Sequence, residues 1–286
     1  MMKRKKAAIA ILIPLALAAL ILPGFSQKLA VRRYHLTSGK LSGQLRLALL
    51  TDLHSCAYGE EMSELISAIE AAQPELLLLA GDILDNHLPD DNAEMLLQGL
   101  KNRYPCYYVS GNHECWSGDR AFAEKMALLE RYGVTILAGD WVTAEVGGQT
   151  LNLCGVDDPE AVMLETARRS DKRYREQLAA VSAAADNGHY TILLAHRPEF
   201  FEDYTGLGFD LVTSGHAHGG QWRIPGLING VYAPNQGFFP KYVSGTYEKN
   251  GTVMIVSRGL ARESTRLPRF YNRPELVIID LEGTKP

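Results

Sequence analysis

From Gln44 onward, short and nearly continuous apolar runs alternate with stretches of helical spacing, and several apolar runs end in a polar cluster. The runs are LRLALLTDLH (45–54), ELLLLAGDIL (75–84), CYYVSGNHE (106–114), VTILAG (134–139), LNLCGVDD (151–158), YTILLAHRP (190–198) and FDLVTSGHAHGG (209–220), with VMIVSRGL (253–260) and ELVIIDLEG (275–283) in the tail. Four to six apolar residues in unbroken succession are what strands buried on both faces look like. Between them, 62–72, 92–100 and 119–133 have helical spacing, the last closed by Gly133, and 159–185 reads as a longer helix with a basic, solvated middle. No repeat or linker interrupts the alternation, so residues 44–286 form one layered α/β domain.

Ahead of this body lies a different pattern. After Lys3, Arg4, Lys5 and Lys6 comes an uncharged stretch, Ala7 to Gln27, that is apolar from Ala7 to Leu22 apart from Pro14. Its 21 residues match the ~20 a helix needs to cross a bilayer and exceed an ordinary secretory core segment. A buried core helix lacks support because no polar face divides the stretch. A cleaved signal peptide stays open, with Gly24 and Ser26 at plausible recognition positions, but an uncleaved transmembrane anchor over 1–27 is the preferred reading. Residues 28–43 are then a connector, short enough to hold the body within ~60 Å of the bilayer.

Charge sharpens that picture. Residues 1–40 hold eight of the 29 bases and no acid, which leaves 21 bases against 33 acids in the rest, a net of −12. A body that acidic is a poor partner for nucleic acid, and phosphate chemistry on it requires metal ions. Bases before the apolar stretch place the body on the extracytoplasmic face of the cell membrane. At 46% hydrophobic and 22% charged, the 286 residues are neither disordered nor a disulfide-dense miniprotein. Cys56, Cys106, Cys115 and Cys154 contain no CxxC pair and are expected to be unbridged thiols, a Cys106–Cys115 disulfide being the alternative.

The candidate chemistry lies at the run ends. His54, His113, His196, His216 and His218, five of the eight histidines, follow predicted strands, as do Asp52, Asp82 and Asn112. The carboxyl ends of parallel strands converge on one crevice, so these side chains can meet although they span 166 residues of chain. His35, His87 and His189 lack that placement. Carboxylate and imidazole donors without thiolate suit Mn, Fe, Zn or Ni rather than Ca or Mg. Seven ligands are too many for one ion with an open position. Two ions sharing a carboxylate fit the count, and such a pair can hold a bridging hydroxide for attack on phosphorus.

The order Asp52-x-His54, Gly81-Asp82-x-x-Asp85, Gly111-Asn112-His113-Glu114, His196 and Gly215-His216-x-His218 closely resembles the calcineurin-like metallophosphoesterase superfamily over Leu45 to Gly220. Gly219-Gly220-Gln221 and Ser257-Arg258-Gly259-Leu260 look like its bacterial, membrane-anchored branch, which includes exported phosphoesterases and enzymes that cleave the pyrophosphate of UDP-2,3-diacylglucosamine. The resemblance implies an α/β/β/α sandwich and two divalent ions, with Mn, Zn and Fe as candidates. It further implies that Asp52, His54 and His218 hold one ion, that Asn112, His196 and His216 hold the other, and that Asp82 bridges them. His113 is then a catalytic group beside the substrate and Asp85 the acid that orients it. The expected substrate is a phosphodiester, pyrophosphate or phosphomonoester, lipid-linked or part of the envelope.

Two further features stay open. Arg197 and Arg258 are candidates for binding a substrate phosphate, with surface ion pairs as the alternative. The aromatic-rich interval Trp222–Tyr242, with Tyr232, Phe238 and Phe239, is a substrate wall, a surface resting on lipid, or ordinary loop packing, the last being the leading reading. The competing function is a membrane-tethered, non-catalytic metal-binding or interaction protein on the same fold.

Overall fold

The computed structural model describes residues 12–15, 17–162, 167–262 and 268–284. Two six-stranded sheets form the body. The first has the order β1 (Ala30–Ser38), β14 (Glu275–Gly283), β2 (Gln44–Leu50), β3 (Leu76–Ala80), β4 (Cys106–Val109), β5 (Val134–Ile136). The second runs β12 (Gly245–Lys249), β13 (Thr252–Val256), β9 (Leu211–Ser214), β8 (Tyr190–Leu194), β7 (Gln149–Gly155), β6 (Trp141–Val146). Strands β2 to β5 are mutually parallel, and so are β7, β8, β9 and β13.

Period-two alternation inside the apolar runs sorts side chains between layers. Leu45, Leu47 and Leu49 face Leu153, Ile192 and Leu211 between the sheets, whereas Ala48 and Leu50 point outward. That outward face is covered by α1 (Ser63–Ala72), α2 (Asp91–Leu100) and α4 (Asp119–Arg131), through Leu65, Ile69, Leu96 and Leu129. The far face of the second sheet is covered by α5 (Ala167–Ser182) and α6 (Phe201–Tyr204), through Leu178, Val181 and Phe201. The layering is the expected mixed α/β sandwich.

Residues 28–43 are not a free connector. Ala30 to Ser38 form β1, paired in parallel with β14 from Ala30↔Glu275 to Ser38↔Gly283. The strand escaped the sequence pattern because it is an edge strand in which Arg32, Arg33 and His35 are exposed, the composition by which natural sheets blunt an edge. The expected helix over 159–185 is divided into 3₁₀ turns at Pro159–Val162 and Ala183–Asn187 with α5 between them, and 163–166 lie outside the described residues. No disulfide joins Cys106 to Cys115, and burial pushes the Cys106 thiol up to about 12.

Of the expected membrane segment, residues 1–11 and 16 lie outside the described residues, while 12–15 and 17–21 are helical. Among the described residues no helix is long and apolar enough to cross a membrane.

Candidate metal centre

Strands β2, β3 and β4 of one sheet and β8 and β9 of the other deliver their carboxyl ends to the same crevice. Several of the turns that follow are sharp: Asp52, His54, Asp82, His216 and His218 all have positive φ, between 46° and 62°. Left-handed backbone at non-glycine residues costs of order 1–3 kcal/mol each and persists where function needs the side chain re-aimed. Close approach adds a demand for glycine: a Cβ at Gly111 would lie 2.2 Å from Asp82 Oδ1, and one at Gly81 would lie 2.5 Å from His196 Nδ1.

Six of the seven expected ligands, with His113 beside them, converge as three overlapping groups: Asp52, His54 and His218; His54, Asp82 and His113; Asp82, His196 and His216. Within each, the donor atoms lie within 4.8 Å of one another. Asp82 is common to two groups, and its Oδ2 is 3.2 Å from His196 Nε2 and 3.6 Å from His54 Nε2. Asn112 begins the short helix α3 (Asn112–Trp116) after β4 and is buried.

Orphaned atoms test whether these residues suit a cation. His54 Nε2, Asp82 Oδ2, Asn112 Oδ1, His196 Nε2 and His218 Nδ1 are all buried without a hydrogen-bond partner. An unsatisfied buried polar atom costs about 1–3 kcal/mol, so five in one crevice mark a place where a bound cation would offset that cost. The opposite edges of two rings are fixed: His54 Nδ1–H donates to Asp85 Oδ2 at 2.9 Å and His196 Nδ1–H to the Ala80 carbonyl at 2.8 Å, while His216 Nε2 lies 2.8 Å from Asn235 Oδ1 and 3.1 Å from Arg197 Nη1. Pinning one ring nitrogen sets the tautomer and aims the other's lone pair inward, as metal-binding imidazoles require.

Charges in the metal-free protein point the same way. Burial holds His216 and His218 well below the usual imidazole range, helped by Arg197 and His54 respectively, so both are neutral. Burial alone would depress His196 too, but the Asp82 carboxylate overrides it and lifts the group to about 10. Against its own burial, Asp82 is held well below the carboxylate range by the same His196 partnership.

His113 has 21% of its side chain exposed, the most open of these groups, and its Nδ1–H donates to Asp85 Oδ2 at 3.1 Å. Asp85 thus holds two histidines by one oxygen, His54 as well as His113, while its Oδ1 accepts the backbone N–H groups of His87 and Leu88. Its carboxyl lies well below the ordinary range because these bonds outweigh its burial. Burial lowers His113, but the Asp85 bond and the nearby Asp82 charge raise it overall. Trp116 packs on the His113 ring at 4.8 Å and is half exposed.

The two arginines do not behave as the sequence led one to expect. Arg197 is 3% exposed, and its guanidinium grips Asp158 through Nε at 2.5 Å and Nη2 at 2.9 Å, Glu160 at 2.8 Å and Asn235 Oδ1 at 2.8 Å. Its burial rules out the surface ion pair, and these donors are engaged by protein groups. It is a buried brace whose Nη1 reaches both Asn235 Oδ1 at 2.8 Å and His216 Nε2 at 3.1 Å. Arg258 lines a separate cavity that includes none of the metal-facing residues.

Glu114, the last residue of the Gly111-Asn112-His113-Glu114 motif, has a structural task that its spacing from the ligands did not announce. It is fully buried, and its carboxylate accepts the N–H groups of Asp82 (3.0 Å), Leu84 (2.9 Å) and Gly111 (2.9 Å), stapling the β3 and β4 loops together. Burial and the Asp82 charge push it up to about 7. A Glu at the third position of α3, three residues past Gly111, makes the carboxylate half of a capping box, accepting the Gly111 N–H.

Residues 45–220 match the model of the calcineurin-like phosphoesterase family. The chain belongs to that family. Its members are metal-dependent hydrolases of phosphoester bonds, and the chain is accordingly a metal-dependent phosphoesterase. It is 29% identical over 247 residues to an uncharacterized metallophosphoesterase of Bacillus subtilis, YkuE, covering 84% of this chain and 79% of that one. A Helicobacter pylori metallophosphoesterase, also uncharacterized, is 29% identical over 275 residues, 93% of this chain and 68% of the relative. In fold, the chain is similar to the NAD nucleotidase of Haemophilus influenzae (TM-score 0.51, 16% identity, 77% of this chain), of whose length the match spans just 46%. It is equally similar to GAP50, described as the anchor in the inner membrane complex of Plasmodium (TM-score 0.51, 13% identity, 84% of this chain and 82% of that one).

Proposed function

We propose that the protein is a dinuclear phosphoester hydrolase anchored to the cell membrane, with its domain on the extracytoplasmic face and a lipid-linked or envelope phosphodiester, pyrophosphate or monoester as substrate. The observation that carries the dinuclear reading is the set of five orphaned buried atoms around a shared Asp82. Asp52, His54 and His218 would hold one ion, and Asn112, His196 and His216 the other, with Asp82 common to both; Mn, Zn and Fe suit this donor set. When bound, such a pair supplies a deprotonated water at neutral pH and neutralises charge on the phosphate. The chain's own contribution to the chemistry is His113, whose imidazolium, kept charged by Asp85, stabilises phosphate charge or delivers a proton to the leaving oxygen.

The membrane reading is supported by the apolar stretch. Leu12, Leu15, Leu20 and Leu22 are each 60% or more exposed, too much apolar surface to leave in water. The end of the stretch is seated on the domain: Tyr271 N–H donates to the Gly24 carbonyl, the Tyr271 hydroxyl to that of Leu20, and Phe25 packs on Phe270 at 5.0 Å. Because β1 begins at Ala30, only 26–29 separate the stretch from the sheet, far less than the ~60 Å reach of a free connector. A domain held that close favours a substrate embedded in or tied to the bilayer.

Purified full-length protein, stripped with chelator and reloaded with Mn, Zn or Fe, should hydrolyse paired mono- and diester chromogenic phosphates. Absence of turnover on both with every ion defeats the enzyme reading. Sidedness is tested by labelling an engineered surface cysteine in intact cells; Cys56 is too buried to serve. Labelling only after lysis would put the domain inside the cell.

A further inference from the structure

Beside the seat of the apolar stretch lies a cavity of about 400 Å³, distinct from the metal centre, whose lining includes Arg32, Arg223 and Arg258 together with Ile224, Leu227 and Tyr271. No acidic residue is among the described residues that line it. Behind the wall, the one carboxylate among the described residues that pairs with these arginines is Glu275, whose Oε2 is 3.3 Å from Arg258 Nε and 3.8 Å from Arg32 Nε. Arg223 is held by neutral partners only, Ser244 Oγ at 2.5 Å, the Gly219 carbonyl and Asn229. Three guanidinium groups against one carboxylate leave a surplus of positive charge in a partly enclosed space. The cost is visible in Arg223, which burial, and then repulsion from Arg258, bring down to about 10.

The rim of this cavity is apolar. Residues 224–228, Ile-Pro-Gly-Leu-Ile, close a tight turn through Ile224 N–H to the Ile228 carbonyl and back, and Leu227 at its tip is 84% exposed. Trp222 and Ile224 are 45% and 43% exposed on the same turn, and Phe238 and Phe239 of the neighbouring loop are 74% and 71% exposed. Tyr271 joins the cavity directly to the apolar stretch, since its backbone and hydroxyl hold Gly24 and Leu20. A cationic floor beneath an exposed apolar rim, next to a membrane segment, has the chemistry of an amphiphile site in which phosphate meets arginine and acyl chains meet leucine.

We propose that this cavity binds the phosphate of an anionic phospholipid head group while the Leu227 turn enters the acyl region, docking the domain face-down on the bilayer. The proposal rests on the membrane reading of residues 1–27 but not on catalysis. It assigns to the aromatic-rich interval 222–242 a surface resting on lipid in place of ordinary loop packing, and to Arg258 a lipid phosphate in place of the substrate's.

The test is calorimetric binding to the full-length protein in neutral nonionic detergent, stripped of divalent ions so that the metal centre takes no phosphate. The probes are dihexanoyl phosphatidylglycerol, dihexanoyl phosphatidylcholine and inorganic phosphate. The phosphatidylglycerol should bind saturably and at least tenfold more tightly than either of the others. Arg223→Gln and Arg32→Gln should each weaken it about fivefold or more, and Leu227→Asp should abolish its advantage over inorganic phosphate. Arg32 is half exposed, so its variant keeps the test sound if Arg223→Gln fails to fold. Equal binding of phosphatidylcholine, equal binding of inorganic phosphate, or indifference to both arginine changes overturns the proposal. Since no turnover is read, its failure leaves the phosphoesterase reading untouched, and the reverse also holds.

Discussion

Asp85→Asn separates what the metal centre owes to its ligands from what it owes to the group behind them. The carboxamide oxygen of the variant can still accept the His87 and Leu88 N–H groups, which lie at 2.8 and 2.9 Å from Asp85 Oδ1 in the native protein, so the loop keeps its shape. The carboxamide nitrogen, however, would face two imidazole N–H donors where Asp85 Oδ2 now accepts both, from His54 at 2.9 Å and His113 at 3.1 Å. Each lost bond is charge-assisted and worth about 1.5–3 kcal/mol. On the His54 side the loss falls on metal binding, where an outer partner of a ligating histidine is worth roughly 10- to 100-fold in affinity. On the His113 side it falls on charge. Burial depresses that imidazole and Asp85 is the first of the groups that raise it, so the variant's His113 must titrate at lower pH. If the imidazolium is the active form, activity declines as pH rises through the His113 pKa, and the alkaline limb of the pH profile moves to lower pH in the variant. The assay is turnover against free Mn at several pH values, with ion content measured separately. A variant with native half-saturating Mn and an unmoved alkaline limb would falsify the role given to Asp85.

Asp82→Ala should lose close to both ions and Asn112→Ala mainly one, by elemental analysis; equal retention in the two variants contradicts a shared Asp82. His113→Ala should keep its ions and lose turnover by roughly 10²- to 10⁴-fold, whereas loss of an ion would make His113 a ligand, as its proximity to His54 and Asp82 allows. Glu114→Ala leaves three buried N–H donors without an acceptor and should lower the unfolding free energy by about 3 kcal/mol or more in denaturant titrations; a change within about 0.5 kcal/mol would show the staple to be dispensable. Because His196 holds its proton up to about 10, ion binding below that pH must expel it, so affinity should fall with falling pH by up to about tenfold per unit. Affinity that is flat between roughly pH 6.5 and 8.5 rules that displacement out.

The sequence alone determined the layers and which Asp, Asn and His residues gather at the strand ends, because both are written in short-range pattern. Runs such as LLLLA at 76–80 are apolar on both faces and can only be interior strands, and the residues that follow them, Gly81 and Asp82, fall where strand ends open into a crevice. Tertiary structure decided whatever depends on a partner far along the chain. Strand β1 is mostly polar on its exposed positions and acquires its identity only from β14, about 245 residues later by the register Ala30↔Glu275. Arg197 became a buried brace because Asp158, Glu160 and Asn235 close around it, and its own neighbours in sequence carry no sign of them. Asp85, after β3, holds His54 as well as His113 because the β2 loop and helix α3 after β4 bring both rings to one oxygen. The arginine cavity is the extreme case: Arg32, Arg223 and Arg258 come from three separate segments, and each alone reads as a surface cation. Periodicity fixes which face a residue turns to, but a side chain's charge state and free valences are fixed by what the fold places against it.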